Sequence, residues 1–229
     1  MDKIWYLKKI NIFAGLTDDE MDYIDRVSVM KHYSKKEPIF LSRDPGDRVY
    51  LLKKGKVKIA RLSVEGKELI LAVLHSGEIF GEAALFDANS RENMAETLED
   101  AFICEINKRD FEVLLAKKPE LVLRLTKLIG FRRRQLEMKI EDLIFKNVKA
   151  RLARLLLNLS RTYGIKKPSG ILINIKLTHS EIANLIGASR ETTTIYLNHF
   201  KQDGLIDFQK RKIILLASDK LQKKVDVGE

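Results

Sequence analysis

Residues 177 to 201 read LTHSEIANLIGASRETTTIYLNHFK, and this stretch sets the organisation of the chain. Thr178 and Glu181 stand three residues apart, the spacing of a capping box at the start of a helix. Ile182, Leu185 and Ile186 fall on one helical face, and Ala183 is small enough to admit a second helix. Gly187 can take the left-handed conformation that ends a helix. Ser189 can cap the next one, whose first turn carries Arg190, Glu191, Thr192 and Thr193. Two short helices meeting at a glycine have the form of a helix-turn-helix. In that motif the exposed start of the second helix offers side chains to base edges in a major groove. Capped amphipathic pairs also occur in folds that never touch DNA, so the stretch alone leaves both readings open.

Charge favours the first. From Lys146 onward there are 16 Lys plus Arg against 7 Asp plus Glu, whereas residues 1–145 hold 26 against 25. The basic excess sits around the helix pair, as phosphate binding requires. A length of 229 residues suggests two domains with their own cores. Aliphatic runs such as Leu69 to Leu74 are too short to span a bilayer, and the N-terminus shows no apolar signal segment. The single cysteine, Cys104, lies in a strand-like pattern and reads as a buried thiol in a cytoplasmic protein. His32, His75, His179 and His199 show no metal spacing, no catalytic constellation is visible, and an enzyme is not expected.

Taken in order, residues 1–30 read as helical. Trp5, Leu7, Ile10, Ile12 and Phe13 precede Gly15, and a second capping box at Thr17 and Glu20 leads into Met21, Ile24 and Val27. From Tyr33 the period becomes two, with Val49, Leu51, Val57, Ile59, Leu69, Leu71 and Val73 as the alternating apolar set. Turn signals at Pro45-Gly46-Asp47, Lys54-Gly55-Lys56 and Glu65-Gly66-Lys67 imply short antiparallel strands in a jelly roll. Ala101 to Ile106 adds a late strand, and Lys108 to Lys117 returns to helix.

Pro119 opens a long helix. Leu121, Leu125, Leu128, Ile129, Leu136, Ile140, Leu143 and Ile144 recur in it at spacings of three, four or seven. It reads as a strut, a surface helix or a dimer seam. The seam is favoured, because paired DNA half-sites call for a two-fold partner. Leu125, Leu128, Ile129, Leu136, Ile140 and Leu143 are its expected contacts. Phe145 to Val148 is the expected hinge, Ala150 to Tyr163 a helix, 164–170 a loop and Ile171 to Ile175 a strand. Leu205 to Phe208 and Ile213 to Leu216 form a hairpin around Lys210 and Arg211, a wing whose cations would lie near phosphate. The tail beyond residue 220 is expected to be loose.

Two stretches then carry a resemblance. Gly77-Glu78-Ile79-Phe80-Gly81-Glu82-Ala83-Ala84-Leu85-Phe86, followed by Arg91, resembles the phosphate-binding cassette of cyclic-nucleotide-binding domains. Ser189-Arg190-Glu191-Thr192 resembles the recognition helix of the Crp/Fnr family of bacterial transcription regulators. The resemblance covers nearly the whole chain. It implies an α+β fold: an N-terminal antiparallel β jelly roll of cyclic-nucleotide-binding type, a long dimerisation helix, and a C-terminal winged helix-turn-helix. The expected boundaries are 1–117, 118–145, 146–219 and a tail 220–229.

Independently of the family, a Gly-x-x-x-Gly-Glu turn points backbone N–H groups at an anion, and an arginine adds a two-pronged donor. By the resemblance, Glu82 takes a ribose hydroxyl and Arg91 the cyclic phosphate, with Gly81, Ala83, Ala84, Glu92 and Leu136 around them. Two positions depart from the family. Glu92 stands where cyclic-AMP-binding members usually have Ser or Thr, and Leu136 and Glu137 stand where a Thr-Ser pair meets adenine. The expected effector is therefore a small anion, cyclic AMP or a 2-oxoglutarate-like acid, or there is none. Arg132, Arg133 and Arg134 are spare cations that could meet a carboxylate.

Arg190 can donate twice to guanine O6 and N7, and Glu191 can accept from cytosine N4. Ile195 stands where the family has a second arginine and would meet a thymine methyl. Thr193 and Thr194 are expected near that base pair or near phosphate. Ser189, Thr192, Tyr196, Lys201, Lys210 and Arg211 are the expected backbone contacts. The expected partners are a double-stranded DNA palindrome, a second copy of the chain and RNA polymerase. A constitutive DNA binder and a cyclic-nucleotide module acting through protein contacts are the alternatives.

Overall fold

The computed structural model describes residues 11–13, 15–85 and 91–226. Trp5, Leu7 and Ile10 of the expected first helix, and Phe86 of the cassette, lie outside the described residues. The chain forms two compact units that divide between Arg133 and Arg134. Among the described residues no helix is long and apolar enough to cross a membrane.

The first unit is built on two four-stranded antiparallel sheets. One has the order β1 (Ser28–Tyr33), β8 (Ala101–Asn107), β3 (Arg48–Lys54), β6 (Ile79–Phe80). The other has the order β2 (Pro38–Phe40), β7 (Met94–Thr97), β4 (Lys56–Leu62), β5 (Glu68–His75). Tyr33, Phe40, Tyr50, Leu52, Val57, Leu74, Phe80, Ala95, Ala101 and Ile103 form one core cluster. A second cluster combines Val49, Leu51, Cys104 and Ile106 with residues of three helices. These are α1 (Asp18–Val27), α2 (Lys108–Lys117) and the first half of α3 (Pro119–Phe145). Successive residues of a strand face opposite ways, so β3 feeds both clusters, Tyr50 and Leu52 to one and Val49 and Leu51 to the other.

Several sequence expectations change here. The helical reading of residues 1–30 overran, since Ser28 is already extended and opens β1. In β5 the fully buried residues are Ile70 and Leu74, not Leu69, Leu71 and Val73. That strand is apolar on both faces, so its alternation could not show which face turns inward. The capping box of α1 forms as expected, with Thr17 and Glu20 each accepting from the other's backbone N–H. Cys104 is buried.

Helix α3 begins at Pro119 and runs 27 residues, a length of about 40 Å. Leu121 and Leu125 are buried in the core of the first unit, and Leu128 and Ile129 pack partly against it. Leu125 is thus a correction: it serves its own chain's core and is not available to a partner. Leu136, Ile140, Leu143, Ile144 and Phe145 remain exposed to between 37% and 67%. Val122, 45% exposed, adds to them. Val122, Ile129, Leu136 and Leu143 recur every seven residues, with Ile140 four after Leu136, the repeat of a coiled-coil seam.

The second unit places α4 (Val148–Tyr163), α5 (His179–Ile186) and α6 (Arg190–Gln202) with a four-stranded antiparallel sheet. Its order is β11 (Ile206–Gln209), β12 (Lys212–Leu215), β10 (Gly170–Ile173), β9 (Gly164–Lys167). The expected loop 164–170 is in fact a hairpin: Ile165 pairs with Leu172, and Lys167 with Gly170. The expected loose tail is also corrected. Ser218–Asp226 forms helix α7, which packs on α4 with Leu221 and Val225 buried. Its apolar residues four apart supply one buried stripe. Lys146 and Asn147 separate α3 from α4, and the Asn147 side chain caps α4 by accepting from Ala150 N–H.

Candidate nucleic-acid interface and effector pocket

The helix pair forms as its caps dictate. The Thr178 hydroxyl accepts from Glu181 N–H at 3.2 Å and the Glu181 carboxylate accepts from Thr178 N–H at 2.6 Å. Gly187 ends α5 at φ 63°, in the left-handed region. A β-carbon there would lie 2.8 Å from Leu143 Cδ2, the movable end of a side chain, so it is the backbone conformation that calls for glycine. The exposed carbonyls of this end are taken by a residue the sequence reading missed. Arg151 donates from Nε to Ile186 O at 2.9 Å and from Nη2 to Gly187 O at 3.3 Å. Its Nη1 donates to Lys146 O at 2.7 Å, just past the end of α3. Burial lowers the Arg151 pKa from its ordinary value. An arginine in the first turn of a basic helix gives little sequence signal for such a role.

Ser189 caps α6, its hydroxyl accepting from Thr192 N–H at 3.1 Å. Arg190 and Glu191 follow, both exposed on the first turn, with Thr192 half-buried. Thr193 is a correction. It is fully buried and its hydroxyl donates to Ser189 O at 2.9 Å. With Leu197 and Phe200 it forms the inward stripe of α6, a spacing of four and seven that identifies it in the sequence. Ile195 is 53% exposed. Tyr196 lies edge-on to His199 with centroids 6.1 Å apart. Lys201 pairs with Asp207 at 3.1 Å, so the expected phosphate contact is shared with an internal carboxylate. Lys210 and Arg211 form the wing tip between β11 and β12, at φ 48° and 64°.

In the first unit the cassette turns around Gly81, at φ 75°. A β-carbon on Gly81 would stand 2.9 Å from Tyr50 Cδ2 and 3.0 Å from Arg91 Nη1. Arg91 is 8% exposed. It donates from Nη2 to Arg48 O at 2.7 Å, and its guanidinium lies 4.0 Å from the centre of the Phe40 ring. Its Nε is buried without a hydrogen-bond partner among the described residues. Burial lowers the Arg91 pKa from its ordinary value. Arg91 lines a cleft of about 250 Å³ together with Phe40, Tyr50, Asp47 and the buried Glu105. A buried cation with an unused donor beneath a glycine turn is chemically suited to an anion.

The remaining cassette residues divide. Glu82 accepts from Arg132 Nη1 at 2.6 Å, and Arg132 Nη2 donates to Ile79 O at 2.6 Å. Arg132, one of the three spare arginines, thus meets the cassette. Ala84 is buried and Ala83 exposed in the short 3-10 turn Glu82–Leu85. Glu92 is a correction: its carboxylate turns outward to Arg61, away from the place expected for an effector contact. Leu136, 40% exposed, belongs to the second unit.

Comparison with known proteins fits both halves. Residues 30–118 match the cyclic nucleotide-binding domain model, and residues 150–224 match the Crp-like helix-turn-helix domain model. A CRP-like cAMP-activated global transcriptional regulator of Mycobacterium tuberculosis is 29% identical over 224 residues, 98% of this chain and 99% of that protein. A global nitrogen regulator of Nostoc is 32% identical over 187 residues, 81% of this chain and 84% of that protein. Among solved structures, a transcriptional regulator of the CRP/FNR family from Thermus thermophilus superposes with a TM-score of 0.73 at 26% identity. That match covers 88% of this chain and 100% of the other. With a cyclic-nucleotide-binding β sandwich, a long helix and a helix-turn-helix domain in that order, the chain belongs to the Crp/Fnr family of transcription regulators.

Proposed function

We propose that this protein is a homodimeric, sequence-specific DNA-binding regulator whose DNA affinity is set by a small anion held at Arg91. The exposed first turn of α6, Arg190 and Glu191 behind the Ser189 cap, carries the DNA-reading half of the proposal. Arg190 supplies two parallel donors for guanine and Glu191 an acceptor for cytosine. Lys210 and Arg211, with the basic excess of residues 146–229, supply contact to phosphate. Two-fold pairing through the seven-residue repeat of α3 would present two such turns to successive major grooves. As a transcription regulator, the DNA-bound dimer would contact RNA polymerase.

The effector half rests on the buried Arg91 guanidinium, whose Nε has no hydrogen-bond partner among the described residues. A phosphate or carboxylate arriving there would gain a charge-assisted hydrogen bond that the unliganded site lacks. Cyclic AMP fits the domain type, and the relative from Mycobacterium tuberculosis is named as cAMP-activated. Glu92 and Leu136 lack the chemistry expected for cyclic AMP, which keeps a dicarboxylate such as 2-oxoglutarate as an equal candidate. One observation favours a second reading, constitutive DNA binding. The Glu82 carboxylate already has Arg132 as its partner, so the cassette carboxylate is satisfied without a ligand.

Calorimetry with cyclic AMP, cyclic GMP and 2-oxoglutarate, paired with DNA-affinity measurements, separates the two. A sensor gives heat with one of them and a matching change in DNA affinity, both lost in Arg91→Met. No heat from any, with unchanged DNA affinity, leaves the constitutive reading.

A further inference from the structure

A side-chain hydrogen bond joins the two helices of the reading head. Thr194 lies one turn into α6, half-buried, and its hydroxyl is 2.9 Å from the backbone oxygen of Arg190. The same hydroxyl is 2.8 Å from Nδ1 of His179, the first residue of α5. A hydroxyl has one proton to donate. A threonine inside a helix gives that proton to the carbonyl four residues earlier, here Arg190 O. It therefore accepts from His179, and the ring must carry hydrogen on Nδ1. The ring also lies against Phe208 of β11, with centroids 6.4 Å apart. His179 thus touches the start of α5, the reading turn of α6 and the first strand of the wing.

We propose that His179 is a positioning residue for DNA reading: through Thr194 it fixes the first turn of α6, and with it the backbone from which Arg190 projects. The chain of donors runs from His179 Nδ1–H to Thr194 Oγ1, and from Thr194 Oγ1–H to Arg190 O. Base readout tolerates little displacement of its donors, because two parallel hydrogen bonds must align with O6 and N7 together. A tie between the two helices, placed four residues from Arg190, restrains that displacement directly. Thr194 is accordingly an internal link rather than the base or phosphate neighbour expected from the sequence. The inference rests on the reading of Arg190 as the guanine contact.

The test uses the full-length protein and a duplex selected by that protein from a randomised pool. A second duplex carries the guanine opposite Arg190 replaced. His179→Ala and Thr194→Val are each expected to lose about three- to tenfold affinity for the selected duplex, the range of one net hydrogen bond. Each should lose discrimination between the two duplexes, while binding to unrelated DNA stays within twofold. Asn places a donor where Nδ1 stands, so His179→Asn should retain discrimination and His179→Gln should not. Thr194→Ser keeps the hydroxyl and should behave as wild type. The double variant His179→Ala/Thr194→Val should be no worse than either single change, because both break one chain.

Discrimination unchanged in both His179→Ala and Thr194→Val would overturn the proposal. So would additive losses in the double variant, or an equal loss on unrelated DNA. If His179→Ala does not fold, the Asn and Gln variants decide the matter by the same criterion. Arg190→Ala separates the two levels. If it leaves discrimination intact, the reading of Arg190 is wrong and this inference falls with it. If it abolishes discrimination while the His179 series does not, the positioning role alone is wrong.

Discussion

At the scale of single residues, the wing tip shows where conformation and charge pull apart. Lys210 and Arg211 both hold positive φ, the pair of conformations that two-residue hairpin turns usually give to Asn-Gly. A side chain with a β-carbon costs about 1 kcal/mol or more at such a position. Keeping two cations there makes sense if their charge meets phosphate. Lys210→Asn combined with Arg211→Gly should stabilise the protein by roughly 1 kcal/mol in denaturant unfolding. The same change should weaken DNA binding and reduce its salt dependence by about one to two counterions. An unchanged salt slope would remove the wing from the interface. The cations were legible in the sequence, whereas their strained backbone was not, because nothing in a run of Gln, Lys and Arg reports the sign of φ. The three threonines of α6 teach a related point. Thr193, Thr194 and a neighbouring Thr192 look alike in sequence, yet one is buried, one links helices and one lies behind the cap. Only the spacing of Thr193 to Leu197 and Phe200 carried advance notice.

At the scale of elements, caps and glycines were the most legible features, because each acts within four residues of itself. Both capping boxes and the left-handed end of α5 form as their spacing requires. Gly187→Ala should cost about 1–2 kcal/mol from backbone strain, while the flexible end of Leu143 can move aside. Thermal unfolding of the variant beside wild type measures it, and an unchanged midpoint would contradict the tight turn. The sheets were less legible. The strand β3 is buried on both faces and β5 is apolar on both, so pattern alone could not assign their sides. Long-range ties were invisible for the same reason. Glu105 on β8 is buried and accepts from Tyr33 OH at 2.5 Å and Lys31 Nζ at 3.1 Å, with Arg48 as a third donor. Burial pushes its pKa up, but the three donors outweigh burial and hold it below the ordinary glutamate range. A carboxyl so depressed contributes stability above its unfolded value and loses it as pH falls through the folded one. Glu105→Gln should therefore be less stable than wild type at neutral pH. The gap should close as pH falls through the depressed Glu105 pKa, read from unfolding midpoints across pH. A gap that stays constant through that range would contradict the assignment.

At the scale of the whole molecule, the order of parts was legible because a basic half follows a near-neutral one and a Pro-initiated helix divides them. Which residues of α3 serve the chain's own core was not. Leu125 and Leu136 look equivalent in the repeat, yet one is buried at 1% and the other exposed at 40%. The exposed members define the proposed seam. Ile140→Asp, placing a charge at 55% exposure in an apolar row, should shift the protein from dimer to monomer in sedimentation. It should weaken binding to a two-half-site duplex far more than to a single half-site. A variant that remains dimeric would move the seam elsewhere. The most direct test of the central claim is selection of bound duplexes from a randomised pool by the full-length protein, with Arg190→Ala in parallel. The account predicts an inverted repeat whose half-sites lie about 34 Å apart, each with a fixed G·C pair that Arg190→Ala no longer selects. A selected pool with no inverted repeat, or one whose G·C pairs survive the loss of Arg190, would contradict it.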